Sequence, residues 1–190
     1  MGAAAMTDAS LERKEVCAAF AGQVDQPAVQ RIFQGLGAAM NNNIAHVHML
    51  FQSSGGYIGD GICLYNFFKT LPIDLTLYNV GNVCSAGVTA YLGAKERKAS
   101  AHAAFMVHRT QSPGQPASAE RLHAITQSVL LDDERTEAIL RQHVTLPDDK
   151  WAVHKIADLW LSADEAVKAH LATGIGEFSP PPGQQVYVIG

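Results

Sequence analysis

Short apolar runs and segments of helical period take turns along this chain, and that alternation limits the fold more than any other feature. Residues 15–22 (EVCAAFAG) read as a buried strand. Asp25 and Pro27 then open a helix over 27–40 whose Val29, Ile32, Phe33, Leu36 and Ala39 share a face. Residues 45–51 (AHVHMLF) form a second strand, and Ser53-Ser54-Gly55-Gly56 breaks it. A helix over 57–71 follows, with Ile58, Ile62, Tyr65 and Phe68 on one stripe. Residues 74–80 alternate as a strand does, Gly81-Asn82 turns the chain, 85–93 is a helix of small residues, and 103–108 is another apolar strand. The stretch 110–117, with Pro113, Gly114 and Pro116, is a loop, and 118–143 is the longest helical pattern. Pro147 starts a short helix toward Asp158. Ser162 and Glu165 make a capping box for a helix to about His170, and 174–178 is a short strand. Strands alternating with helices predict an α/β domain with parallel crossovers and with its functional loops at strand ends.

A chain of 190 residues suits one domain. The expected organisation is a flexible segment 1–14, a single domain over 15–178, and a tail over 179–190 that begins near Pro180-Pro181-Pro182. Apolar residues make up 47% and charged ones 17%, below the usual quarter, which fits a globular protein with an extensive subunit interface. A net charge of −4 gives no reason to expect a nucleic-acid or anionic-membrane partner. No run of about 18 apolar residues predicts a spanning helix, and no basic stretch followed by a long apolar one predicts a secretory signal. The cysteines are Cys17, Cys63 and Cys84, an odd number at spacings that fit neither a disulfide framework nor a zinc ribbon. A reducing, cytoplasmic location is expected.

Chemistry-bearing residues gather at the predicted strand ends. Ser85 follows a turn and starts a helix, with small Ala86 and Gly87 behind it, so its hydroxyl would stand where free backbone N–H groups point. Gly55-Gly56 lies between a strand and a helix, where glycine permits unusual angles and close approach of a ligand. The N–H groups there and at Ala86 could hold an oxyanion. His108 ends a strand, and Asp158 precedes the bulky Leu159-Trp160-Leu161. Each has an ordinary explanation in isolation: Ser85 as a helix cap, the glycines as a plain turn, His108 as a surface histidine, Asp158 as a solvated carboxylate. Cys84 reads as a packing residue. His46 and His48 share a strand face, but no third ligand at suitable spacing accompanies them, so neither metal nor cofactor is expected.

The ordered set resembles the Clp protease proteolytic subunit family. Gln52-Ser53-Ser54-Gly55-Gly56 resembles that family's Asn-Ser-Pro-Gly-Gly loop, and residues 81–87 (GNVCSAG) resemble its Gly-Gln-Ala-Ala-Ser-Met-Gly nucleophile turn. Residues 93–97 (GAKER) are similar to Gly-Ala-Lys-Gly-Lys-Arg, and Phe105-Met106-Val107-His108 to a strand ending Met-Ile-His. Residues 158–166 (DLWLSADEA) resemble Asp-Arg-Phe-Leu-Ser-Ala-x-Glu-Ala. The resemblance implies a single-domain ClpP/crotonase-like ββα superhelix and a Ser85–His108–Asp158 triad. It also implies backbone oxyanion donors at Gly56 and Ala86, with Gly55 beside the substrate. By the same resemblance the chain is an oligomeric serine endopeptidase acting on peptides or unfolded chains in a homo-oligomeric ring, with an AAA+ ATPase as possible partner. Two other readings are a non-catalytic ring subunit and an acyl-CoA enzyme of the crotonase fold. The chain departs from the family at Ser54, in the proline-bearing stretch 109–117 where the family has a glycine-rich strand, and in an N-terminal segment without the usual apolar pattern.

Overall fold

The computed structural model describes residues 14–111 and 116–189. β1 (Glu15–Ala21), α1 (Gln26–Asn41), β2 (His46–Gln52), α2 (Ile58–Thr70) and β3 (Asp74–Asn79) build the first half. β4 (Asn82–Cys84), α3 (Ala86–Tyr91), β5 (Glu96–Ala99) and β6 (Ala104–Val107) follow. The remainder is α4 (Ala119–His143), α5 (Asp148–Ile156), β7 (Leu159–Ser162), α6 (Ala163–Lys168), β8 (Gly174–Ile175) and β9 (Val186–Val188). Six strands make one sheet in the order β8-β5-β3-β2-β1-β9, every neighbouring pair parallel. A second sheet has the order β4-β6-β7, with β7 antiparallel to β6.

The period-2 pattern separates the two faces of the large sheet. Ala18 and Phe20, Val47, Met49 and Phe51, and Leu75 and Leu77 point into the core. Their alternates, including Glu15, His46, His48 and Tyr78, line the other face. α1 lays Ala28, Val29, Ile32, Leu36 and Ala39 inward, and Asp25 caps it by accepting the Ala28 N–H at 2.9 Å. Phe33, expected on that face, sits at its margin and packs on Phe67 with ring centroids 4.4 Å apart. The capping box is formed as the sequence implies, Ser162 and Glu165 each bonding the other's backbone N–H.

Besides β7, whose residues were given no element, three strands were not legible. β4 lies where a turn at 81–82 was expected. It exists because Asn79, fully buried, redirects the chain: its amide donates to the Ala104 carbonyl at 2.8 Å and accepts from the Gly81 N–H at 3.0 Å. β5 (ERKA) is half charged, yet Arg97 is buried because its guanidinium donates to the carbonyls of Leu171 (2.8 Å), Ala94 (2.7 Å) and His170 (3.1 Å). Arg97→Met is therefore expected to leave three carbonyls short of a donor and cost about 2–4 kcal/mol, read as a lower denaturation midpoint with an unchanged slope.

The third is β9. The triple proline does not end the packed chain: beyond it, Val186–Val188 pairs with Cys17–Ala19, and Ile189 is buried in the core. The outer edge of β1 offers an unpaired ladder, which β9 covers. The expected flexible segment lies outside the described residues except for Lys14, whose carbonyl accepts the Ala45 N–H at 2.8 Å. Residues 109–111 and 116–117 are irregular, while Pro113 and Gly114 lie outside the described residues. Among the described residues no helix is long and apolar enough to cross a membrane.

Candidate active site

Ser85 stands at the seam between β4 and α3. Its N–H extends the β4–β6 ladder by donating to the Met106 carbonyl at 2.8 Å, and the backbone then turns to φ 53°, ψ −126° before α3 begins at Ala86. A positive φ at a non-glycine residue costs of order 1–3 kcal/mol, and such strain concentrates where a side chain must be presented. As the N-cap of α3, Ser85 makes no side-chain capping bond. Its Oγ instead lies 2.8 Å from His108 Nε2, with His108 immediately after β6. Ser85 therefore makes no side-chain cap, and His108 is half-buried against it rather than free on the surface.

The glycine loop is fastened from three sides. Ser53, buried, bridges to Val83, its carbonyl accepts the Cys84 N–H at 2.9 Å, and its hydroxyl accepts the Gly55 N–H at 3.1 Å. The Gly55 carbonyl accepts from Val24 at 2.8 Å, and the Val24 carbonyl accepts from Tyr57 at 2.9 Å. These bonds leave out the N–H of Gly56. Gly55 has φ 106°, and a Cβ on it would sit 2.7 Å from Ser85 Cβ. Gly56 has φ 156°, and a Cβ on it would sit 2.0 Å from the Val24 carbonyl oxygen. Only glycine lets this loop lie against both β1's exit and the serine. Cys84 is buried, and that burial pushes its thiol up from the ordinary value, aided by the Asp158 carboxylate, so it stays a protonated packing group.

Asp158 is placed beside His108 but not on it. Antiparallel pairing of Val107 with Leu159 sets residues 108 and 158 opposite each other, and both line one cleft of about 200 Å³ with Arg109, His154 and Lys155. Asp158 is exposed. His108 Nδ1 is buried and has no hydrogen-bond partner among the described residues. On the α4 side, Ser85 and His108 face Ile58, Val88, Thr136 and Leu140 across a gap of only about 10 Å³.

Asp133, on α4, is a residue that sequence reasoning missed. Its carboxylate accepts from Arg109 Nε at 2.8 Å and from the Thr110 N–H at 2.7 Å, pinning the chain just past His108. Burial pushes Asp133 up, but the Thr110 and Arg109 hydrogen bonds outweigh it, and its carboxyl is held below the usual range. Within Asp132-Asp133-Glu134-Arg135 it resembles any solvated helix charge, so no sequence signal could have singled it out.

The α/β architecture with these sheets is a ClpP-like fold. Among solved structures, a ClpP1 mutant from Listeria monocytogenes aligns with TM-score 0.73 at 20% identity, over 85% of this chain and 91% of that one, a likeness of fold. The Clp protease family model matches residues 4–178. The ATP-dependent Clp protease proteolytic subunit 3 of Rhizobium etli is 24% identical over 147 residues, 76% of this chain and 75% of its own length. That of Rhizobium johnstonii is 25% identical over the same shares. The chain belongs to the Clp protease family, as its motifs implied, and its ClpP/crotonase-like fold is the one expected. β9 lies beyond the family match.

Proposed function

We propose that the chain is a serine endopeptidase that cleaves peptide bonds inside an oligomeric chamber. The observation that carries the reading is the 2.8 Å contact between His108 Nε2 and Ser85 Oγ, the reach a general base needs. In this mechanism Ser85 Oγ attacks the scissile carbonyl as His108 takes its proton. The tetrahedral oxyanion is held by the N–H of Gly56 and by that of Ala86, the first residue of α3, where helical N–H groups lack intrahelical acceptors. His108 then returns the proton to the leaving amine, and water reverses the sequence to free the acyl group. Asp158 orients the imidazole once its carboxylate turns from the cleft to Nδ1. The Clp family supports assembly into a ring, and α4 supplies surface for it, with Leu122, Leu130 and Leu131 exposed. The relatives' name, ATP-dependent, supports an AAA+ ATPase as the source of unfolded substrate. The three cysteines are unpaired, which suits the cytoplasm.

A fluorophosphonate probe is expected to label the assembled protein at Ser85, identified by peptide mass mapping, and to leave Ser85→Ala unlabelled. Labelling that persists in Ser85→Ala would overturn the assignment. A second reading, a non-catalytic ring subunit, draws on the unpartnered His108 Nδ1. Peptide turnover by the purified chain that disappears in Ser85→Ala excludes it.

A further inference from the structure

His46 and His48 sit at alternate positions of β2 and so face the same side of the large sheet, away from the helical core. Along the chain they are only a pair. The parallel register supplies a third group, because Glu15 of β1 lies opposite His46. Glu15 Oε2 is 3.3 Å from His48 Nε2, Glu15 Oε1 is 3.8 Å from His46 Nδ1, and one ligand atom from each of the three residues falls within 4.8 Å of the others. A tetrahedral ion with bonds near 2.0–2.1 Å holds its donors about 3.3–3.4 Å apart. One separation already matches that, and small side-chain rotations bring in the rest. We infer that Glu15, His46 and His48 bind a single zinc-type divalent transition-metal ion on this face of the sheet.

The groups behind the ligands suit the same purpose. His46 Nε2 lies 2.8 Å from Thr76 Oγ1, and His48 Nδ1 lies 3.0 Å from Tyr78 OH, both on β3. A hydroxyl can accept an imidazole N–H, so each ring is able to keep its proton on the outer nitrogen and turn the other nitrogen's lone pair toward Glu15. That arrangement, an outer N–H fixed by an oxygen acceptor, orients histidines that ligate metals. The tilted rings, 4.0 Å between centroids, place both inner nitrogens over the same carboxylate. Two imidazoles and one carboxylate favour zinc and its transition-metal neighbours, since calcium and magnesium take oxygen ligands. A fourth position opens toward a cleft of about 230 Å³ lined by Cys17, Tyr78, Glu177 and Phe178, leaving room for water or an anionic ligand.

This site lies at the start of β2, and the loop that meets Ser85 follows its end, so at a rise of about 3.3 Å per residue the two are about 20 Å apart along the strand. The inference therefore stands apart from the peptidase reading. It is tested by titrating zinc into the chelator-stripped full chain by calorimetry, with peptide turnover measured separately. One ion per protomer is expected, with affinity falling at least 100-fold in both His48→Ala and Glu15→Gln and staying unchanged in Cys63→Ser, which removes the exposed thiol. Glu15 is half exposed, so Glu15→Gln keeps the fold and the test stands even if a histidine variant does not. Cobalt added to the stripped protein should give the visible absorption of a tetrahedral site. Absence of a stoichiometric ion, or equal binding by Glu15→Gln, would overturn the site.

Discussion

His108→Ala is expected, on the proposed mechanism, to lower peptide hydrolysis by about 10⁴- to 10⁶-fold, because Ser85 Oγ loses the imidazole 2.8 Å away and a serine hydroxyl is a weak nucleophile unaided. The loss should fall on kcat, measured with a fluorogenic peptide, and the thermal midpoint should hardly move, since the imidazole is half-buried and its Nδ1 makes no bond among the described residues. Asp158→Asn is the informative comparison. If Asp158 swings onto Nδ1 in the working enzyme, Asn stabilises the wrong tautomer and the loss approaches about 10⁴-fold. If Asp158 stays in the cleft where it lies, the change is only a few-fold.

The largest effect on folding is expected from Gly56→Ala. The added methyl would meet the Val24 carbonyl oxygen at 2.0 Å, and backbone cannot swing aside as a flexible side chain can. The positive φ adds strain for any residue with a Cβ. A loss above about 4 kcal/mol is expected, or about 10 °C or more in thermal midpoint for a chain this long. Gly37 in α1 has nothing within 4 Å of where a Cβ would be. Gly37→Ala should hold stability or raise it by up to about 1 kcal/mol, because alanine is the better helix former. Melting curves of the two variants would separate a steric cause from a general intolerance of glycine replacement.

Much of this fold was readable because local signals and tertiary structure agree. Asp25 with Pro27 and Ser162 with Glu165 mark helix starts by chemistry that needs no distant partner. The apolar runs of β1 and β2 and the alternation of β3 mark strands that each turn a face into the core. Ser85 and His108 could be paired only through their resemblance to a known order of motifs, since each has a commoner local explanation. Other features depend on partners far along the chain. Arg97 is interior only because carbonyls near residue 170 receive it, and its charge hid β5. β9 follows three prolines, and nothing local indicates that β1 has an open side for it. Asp133 and Glu15 gain their roles from what packs or pairs beside them, and that register is not written in spacing.

The pairing of β9 with β1 joins residues about 170 positions apart, so its loop-closure entropy is repaid only after the intervening elements have packed. The main sheet thus acquires its outermost strand late in folding. Until then β1 presents a bare ladder to any neighbouring polypeptide, and the interval before closure is when a nascent chain of this protein is most open to exchanging strands with another copy of itself.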